Sequence, residues 1–222
     1  MKEFITNLIK FIIDFIKKVP TTKEEQEIKI PIIEIPEEST SEETIEEKEE
    51  SIVKEPTINI IVSNQFKSGD IDFTYTRLNG KVEHFMIDKE EKLSKNFKVK
   101  EFLMKVSTCE KYGLSIDRCK KLILDERVVI VAQLLRDYIG KSLTVNSAYR
   151  DKEYNKAIGG SSTSQHLKGR AIDIDNSNLD VKAIQNKIKN EWWKILGIRG
   201  LETSKTTWLH IDFRVRNNLL TF

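Results

Sequence analysis

The spacing of apolar and polar positions divides this chain into stretches of different character. In residues 1–20 (MKEFITNLIKFIIDFIKKVP) Phe4, Ile5, Leu8, Ile9, Ile12, Phe15 and Ile16 recur at helical spacing, interrupted by Asn7, Lys10, Asp14, Lys17 and Lys18. The spacing predicts an amphipathic helix that lies on a membrane surface or docks on a protein partner. No apolar run approaches the ~20 residues needed to cross a bilayer. Val19-Pro20-Thr21 is a poor cleavage site, so a cleavable signal peptide is not expected. Residues 21–56 lose the periodicity. They hold thirteen glutamates against four lysines, with Pro31, Pro36 and Pro56, and offer almost no aromatic surface to bury. Such a stretch is expected to be a disordered, extended acidic linker.

Residues 57–92 read as a small β unit. INIIVSN is a short strand, and DFTYTRLNGKVEHFMID alternates on both sides of Asn79-Gly80, which predicts a two-residue hairpin turn. His84 falls in the second arm, as an ordinary cross-strand histidine. From residue 93 to 222 the pattern is mixed. KVKEFLMKVS suits a short helix, and Ile116 to Ile139 reads as a helix striped by Val128, Val131, Leu135 and Tyr138 and closed by Gly140. KSLTVNSAYR is a strand, DKEYNKAIGG a short helix and GRAIDID a strand. NLDVKAIQNKIKNEWWKILG is a helix stopping at Gly197, and TTWLHIDFRV is the closing strand. Helices packed on a small, mainly antiparallel sheet make the fold class α+β.

Charge sharpens this division. The formal net charge is +2, but residues 21–56 carry 4 − 13 = −9, which leaves +11 on the remainder. A cationic body suits an anionic polymer such as cell-wall glycan, and surface lysines kept for solubility account for the same number. No nucleic-acid reading motif is recognisable, and no nucleic-acid partner is expected. Cys109 and Cys119 form no CxxC pair and are read as free, partly buried thiols.

Of the three histidines in the chain, two belong to a pattern that can carry chemistry. His166 and Asp173 lie seven positions apart in SQHLKGRAIDID, and His210 follows in TTWLHIDFR. Imidazole nitrogen and carboxylate oxygen suit a divalent metal of zinc type, and three protein ligands leave a fourth position open. Strand alternation puts Ala171 and Asp173 on one face, opposite Ile172 and Ile174. It likewise groups Trp208, His210 and Asp212 against Leu209, Ile211 and Phe213. Asp173 and His210 can therefore project from neighbouring strands into one cleft, with His166 in a loop bent back over it. Asp212, on the same face as His210, is placed to orient a ligand or to contact substrate. The residues alone leave two readings open: a metal site, or a structural loop histidine beside a turn acid.

SAYRDKEYNKAIGGSSTSQHLKGRAIDID followed by WLHID resembles the zinc D-Ala-D-Ala carboxypeptidase and L-alanyl-D-glutamate endopeptidase family. Those enzymes share a fold with lysostaphin-type peptidases and the hedgehog signalling domain. LSKNFKVKEF, at residues 93–102, is similar to the segment that opens the domain in many members and phage relatives. The resemblance covers about residues 93–216. It implies one zinc ion per domain, held by His166, Asp173 and His210, with Arg150 holding the substrate carbonyl or carboxylate. Ser164 and Gln165 flank the metal, as substrate contacts or as loop stabilisers, and Tyr154 and Asn155 are mainly structural.

One departure stands out. Many members place a catalytic glutamate three residues before the last histidine, where this chain has Thr207, which is no general base at neutral pH. Glu202 is the nearest upstream carboxylate and the candidate acid/base, with Asp212 competing. The resemblance implies a peptidase of peptidoglycan stem peptides or cross-links, from a phage or from an enzyme remodelling the bacterial envelope. Its location would be the cell envelope, or the virion and host periplasm. Thr207 keeps open a second class of function, a non-catalytic, zinc-stabilised structural or binding module of a virion or envelope.

Overall fold

A computed structural model of the chain describes residues 71–175 and 177–222. The expected N-terminal helix, the acidic linker and the INIIVSN strand lie outside the described residues. The first elements form a hairpin of β1 (Ile71–Thr76) and β2 (Val82–Ile87). Their antiparallel register runs from Ile71 opposite Ile87 to Thr76 opposite Val82. Ile71, Phe73 and Tyr75 point into the core, as period-two alternation requires. The turn differs from the two-residue form expected at Asn79-Gly80. Arg77 N–H donates to the Lys81 carbonyl (2.8 Å) and Gly80 N–H to the Arg77 carbonyl (2.9 Å), giving a three-residue loop. Gly80, at φ +84°, takes the left-handed position that closes such a loop.

A 3-10 turn at Val99–Phe102 and helix α1 (Val106–Lys111) follow. Extended backbone at Leu103 separates them, so KVKEFLMKVS is two pieces rather than one helix. The helix expected over Ile116–Ile139 is also divided, into a 3-10 turn (Ile116–Lys120), strand β3 (Lys121–Asp125) and helix α2 (Glu126–Ile139). The physical reason lies in KLILD. Leu122 and Leu124 are fully buried while Lys121 is exposed and Ile123 half-buried, an alternation that suits a strand. β3 pairs in parallel with β1, giving a three-stranded sheet in the order β2-β1-β3. Asp125 then starts α2 by accepting a hydrogen bond from Arg127 N–H (3.1 Å). Gly140, at φ +69°, ends the helix as expected.

The second sheet contains β4 (Val145–Ser147), β5 (Ala171–Asp175), β6 (Gly200–Leu201), β7 (Trp208–Asp212) and β8 (Leu220–Thr221). Their order is β4-β5-β7-β6-β8. All pairings are antiparallel except the short parallel contact of β6 with β8. The strand expected to close the domain is therefore central, flanked by β5 and β6. Helix α3 (Lys152–Ala157) leads into the histidine loop. Helix α4 (Val181–Lys187) continues through a π turn at Ile188–Trp192 and a last turn at Trp193–Ile195, and stops before Gly197.

One apolar core serves both sheets. It joins Phe73, Tyr75, Leu122 and Leu124 of the first to Ile172, Ile174, Leu209 and Ile211 of the second. Burying each of these side chains contributes roughly 1.5–3 kcal/mol. The fold is α+β as expected: the small β unit gains β3 to become a three-stranded sheet, beside the mainly antiparallel five-stranded one. Cys109 and Cys119 are free thiols, buried with their sulfurs 3.4 Å apart. Burial, and then the neighbouring Cys109, push the Cys119 thiol up to about 12, so it stays protonated and unreactive at neutral pH.

Candidate metal centre

Three local structures bring His166, Asp173 and His210 together. His166 sits on a 3-10 turn (Gln165–Lys168) that Ser164 starts by accepting the His166 N–H (3.3 Å). Gly169, at φ +63°, ends it. A Cβ on Gly169 would lie 2.1 Å from the Ile123 carbonyl oxygen, so only glycine lets this turn rest on β3. Asp125 N–H donates to the Gly169 carbonyl (2.9 Å) and completes the support. The first sheet thereby holds the histidine turn of the second.

Asp173 and His210 face each other in the β5–β7 register, with Ala171 opposite Asp212 and Asp175 opposite Trp208. These residues share the face that strand alternation assigns them. Asp173 Oδ1 is 2.6 Å from His210 Nδ1 and 3.2 Å from His166 Nε2, and the two imidazole nitrogens are 3.4 Å apart. Zinc bonds of about 2.0–2.1 Å directed to the corners of a tetrahedron would set ligand atoms about 3.3 Å apart. Two of the three separations match that edge. The third is shorter and is a hydrogen bond. The donor set fits a zinc ion.

The outer partners of the rings agree with this fit. His166 Nδ1–H donates to the Ala148 carbonyl (2.5 Å), which leaves Nε2 as the inward-facing nitrogen. His210 is turned the other way, with Nε2 3.5 Å from Asp212 Oδ2 and Nδ1 facing inward. Each imidazole therefore has an acceptor on one nitrogen and the centre on the other, the arrangement that fixes a metal-binding tautomer. Burial lowers the pKa of His166 and favours its neutral form. Burial acts the same way on His210, but Asp173 and Asp212 outweigh it and push that ring up to about 9. Asp173 stays ionised despite its burial, because both histidines stabilise its charge. A cation entering the centre would displace the His210 proton.

The remaining sequence candidates line the same cleft of about 560 Å³: Arg150, Ser164, Gln165, Glu202 and Asp212. Arg150 donates to Ser147 Oγ (2.7 Å) and, through Nη2, to Asp173 Oδ2, the oxygen turned away from the histidines. Gln165 Nε2 donates to the Thr163 carbonyl (3.3 Å). Glu202 N–H donates to the His210 carbonyl (3.3 Å), which extends the β6–β7 register by one residue. In that register Gly200 opposes Asp212, Leu201 opposes Ile211, and Glu202 lies across from His210 on the same face. Thr207 is exposed just ahead of β7.

Of the roles open to Asp212, the orienting one has the contacts. Its side chain has no exposed surface. Arg214 takes both its oxygens, through Nε (2.8 and 3.1 Å) and a short Nη2 contact. Burial raises its pKa, but Arg214 and His210 hold it at about 2. These contacts are those of a residue that orients His210 rather than one open to substrate. Asn155 is structural: it is buried and donates from Nδ2 to the Ser161 carbonyl (2.9 Å) on the approach to His166.

Four further residues shape the site without a signal singled out in the sequence: Gln185, Phe222, Gly200 and Arg214. Gln185 of α4 is buried and donates from Nε2 to the carbonyls of Glu202 and Lys205, both at 2.8 Å. It pins the turn that carries Glu202. Phe222 packs edge-on against His210, ring centres 5.8 Å apart. Gly200 has no Cβ because Asp212 Oδ2 would lie 2.2 Å from it. Arg214, two residues after Asp212 on extended chain, was the most accessible of the missed signals.

A small α+β domain whose sheet gathers a His-Asp-His set able to hold a metal, beside an open cleft, is the setting of a metal centre. The family model described as Peptidase M15 matches residues 95–212, more than half of the chain. The chain belongs to this family, that of the zinc D-Ala-D-Ala carboxypeptidase-like peptidases. No curated protein matches it.

Proposed function

We propose that this chain is a zinc-dependent peptidase that hydrolyses peptidoglycan stem peptides or cross-links, in cell-wall lysis or remodelling. The single observation that carries the reading is the convergence of His166 Nε2, Asp173 Oδ1 and His210 Nδ1 within 4.8 Å of one another, at the floor of the cleft that Glu202 lines. His166, Asp173 and His210 hold the ion. When bound, zinc supplies Lewis-acid polarisation of the scissile carbonyl and acidifies the attacking water. Glu202 accepts the proton of that water and returns it to the leaving amine. Arg150, a planar fork with donors beyond those given to Ser147 and Asp173, binds the substrate carbonyl or carboxylate and the negative charge that develops there. Ser164 Oγ and the Gln165 amide line the approach and offer hydrogen bonds to the peptide backbone.

In this reading residues 1–20 and the acidic stretch 21–56 tether the domain near a membrane surface or a protein assembly. Its place of action is the cell envelope, or the virion and host periplasm for a phage-encoded enzyme. The test is mass spectrometry of muropeptides released from purified peptidoglycan, with and without a chelator. Metal-dependent release is expected, lost in His210→Ala together with bound zinc. Cleavage retained by His210→Ala would sink the proposal. A zinc-loaded wild type without cleavage would favour the non-catalytic, zinc-stabilised module instead.

A further inference from the structure

A second cleft, of about 420 Å³, adjoins the metal cleft and shares Arg214 with it. Six arginines line it: Arg77, Arg127, Arg170, Arg199, Arg214 and Arg216, with Asp125 as the one carboxylate among the lining residues. Four of the six have carboxylate partners. Arg77 pairs with Glu83 (2.6 Å) and Glu126 (3.3 Å), Arg127 and Arg170 share Asp125 (2.6 and 3.7 Å), and Arg214 pairs with Asp212. Among the described residues no carboxylate pairs with Arg199 or Arg216.

Arg199 is the more informative of the two. It is half-buried, and its bonds go only to main-chain carbonyls: Nε to Arg216, Nη1 to Trp193 and Ile198, all within 3.0–3.1 Å. Nη2 has no partner among the described residues, so its two N–H groups remain free. Burial, and then the charge of Arg127, lower the Arg199 pKa, the direction expected of a cation short of nearby negative charge. Four guanidinium groups are also fixed by stacking. Arg77 lies over Tyr75 (4.8 Å), Arg127 over Phe213 (5.1 Å), Arg199 over Trp193 (5.3 Å) and Arg214 over Phe222 (5.1 Å). Stacked, pre-ordered guanidinium forks lose little freedom when they meet a ligand.

We propose that this arginine cleft is a binding site for a phosphate-type dianion. Two cations without a carboxylate partner leave about two positive charges for an anion to offset. A phosphate monoester carries roughly −1.5 to −2 near neutral pH, with three acceptor oxygens for guanidinium forks. Two adjacent phosphodiesters of a polymer present the same charge. A single carboxylate supplies half of it. The site is built from the hairpin turn, the start of α2, the segments leading into β5 and β6 and the loop after β7, and none of the proposed zinc ligands lines it.

The test uses the full-length chain and calorimetric titration with inorganic phosphate, with and without phenanthroline, a neutral metal chelator that does not compete as an anion. Saturable one-to-one binding is expected, unchanged by the chelator and about tenfold or more weaker in Arg199→Gln and in Arg216→Gln. Arg216 is exposed, so its replacement reports on the site even if Arg199→Gln fails to fold. Parallel titrations with glycerol 3-phosphate and with poly(glycerol phosphate) distinguish a small monoester from a phosphodiester polymer. Absence of saturable phosphate binding, or full binding in Arg216→Gln, overturns the proposal. Binding abolished by phenanthroline also overturns it, by moving the anion to the metal centre. None of these outcomes depends on peptidase activity.

Discussion

The two faces of the β5–β7 pair are made by the same ten residues and serve opposite ends. On one face Ile172, Ile174, Leu209 and Ile211 have no solvent exposure and lie in the common core. On the other, Asp173, His210 and Asp212 form a linked array of charge and imidazole. The first face is made by removing apolar surface from water, which is non-directional and tolerant of rearrangement. The second is made of directed polar contacts, each with a named partner, in a setting where an unpaired group costs more than a paired one gains. Stability and chemistry are thus separated by one peptide unit along each strand. Substitutions on the polar face that keep shape and pairing should change metal and turnover more than stability. Those on the apolar face should do the reverse.

The largest effect is expected at Glu202, in the register opposite His210. Glu202→Gln keeps size and hydrogen-bonding reach but removes the basic oxygen. Turnover of peptidoglycan peptides should fall about 10²–10⁴-fold, with one zinc still bound per chain and an unchanged melting temperature. Unchanged turnover would remove Glu202 from the mechanism. On the apolar face, Ile211→Ala should lower the unfolding free energy by about 2–5 kcal/mol in a urea titration. Zinc affinity of the folded fraction should stay near wild type. Loss of zinc in proportion to stability would show that the two faces are not separable.

Asp212 tests the boundary between them, because it is buried like a core residue yet acts on the polar side. Asp212→Asn should weaken zinc binding about 10–100-fold, through His210, read by competition with a chromogenic chelator. Gly200→Ala approaches the same carboxylate from β6, where the added methyl would sit 2.2 Å from Asp212 Oδ2, and should shift affinity in the same direction. Wild-type affinity in both variants would show that Asp212 serves only Arg214.

The legibility of these features in the sequence follows from how local their causes are. Strand alternation alone places Asp173, His210 and Asp212 on one face, because the side-chain period of a strand is fixed. The Gly140 and Gly197 stops were readable for the same reason, since a positive φ is a local demand. Lys121–Asp125 misled because five residues beside a genuine helix carry too little pattern to separate a strand from its first turns. What makes them a strand is the distant partner β1. The partner of Asp212 is less legible: strand alternation gives its face, but not that Arg214 occupies both its oxygens. Gln185 was silent altogether, since a glutamine beside a helical stripe gives no sign that two carbonyls from another segment meet it.

That silent residue provides the smallest and most discriminating test. Gln185 Nε2 holds the carbonyls of Glu202 and Lys205, both at 2.8 Å, while its Oε1 is buried without a hydrogen-bond partner. Gln185→Leu removes both bonds but also the unsatisfied oxygen, so its net cost in stability should be only about 1–2 kcal/mol. The loosened segment is the one that carries Glu202, to whose carbonyl and that of Lys205 the Gln185 amide donates. Turnover should therefore fall about tenfold, a loss of positioning, while zinc affinity stays unchanged. A matching loss in zinc affinity would mean that the α4 anchor supports the whole polar face. Unchanged turnover would mean that the Glu202 turn holds its place without α4, through the β6–β7 ladder alone.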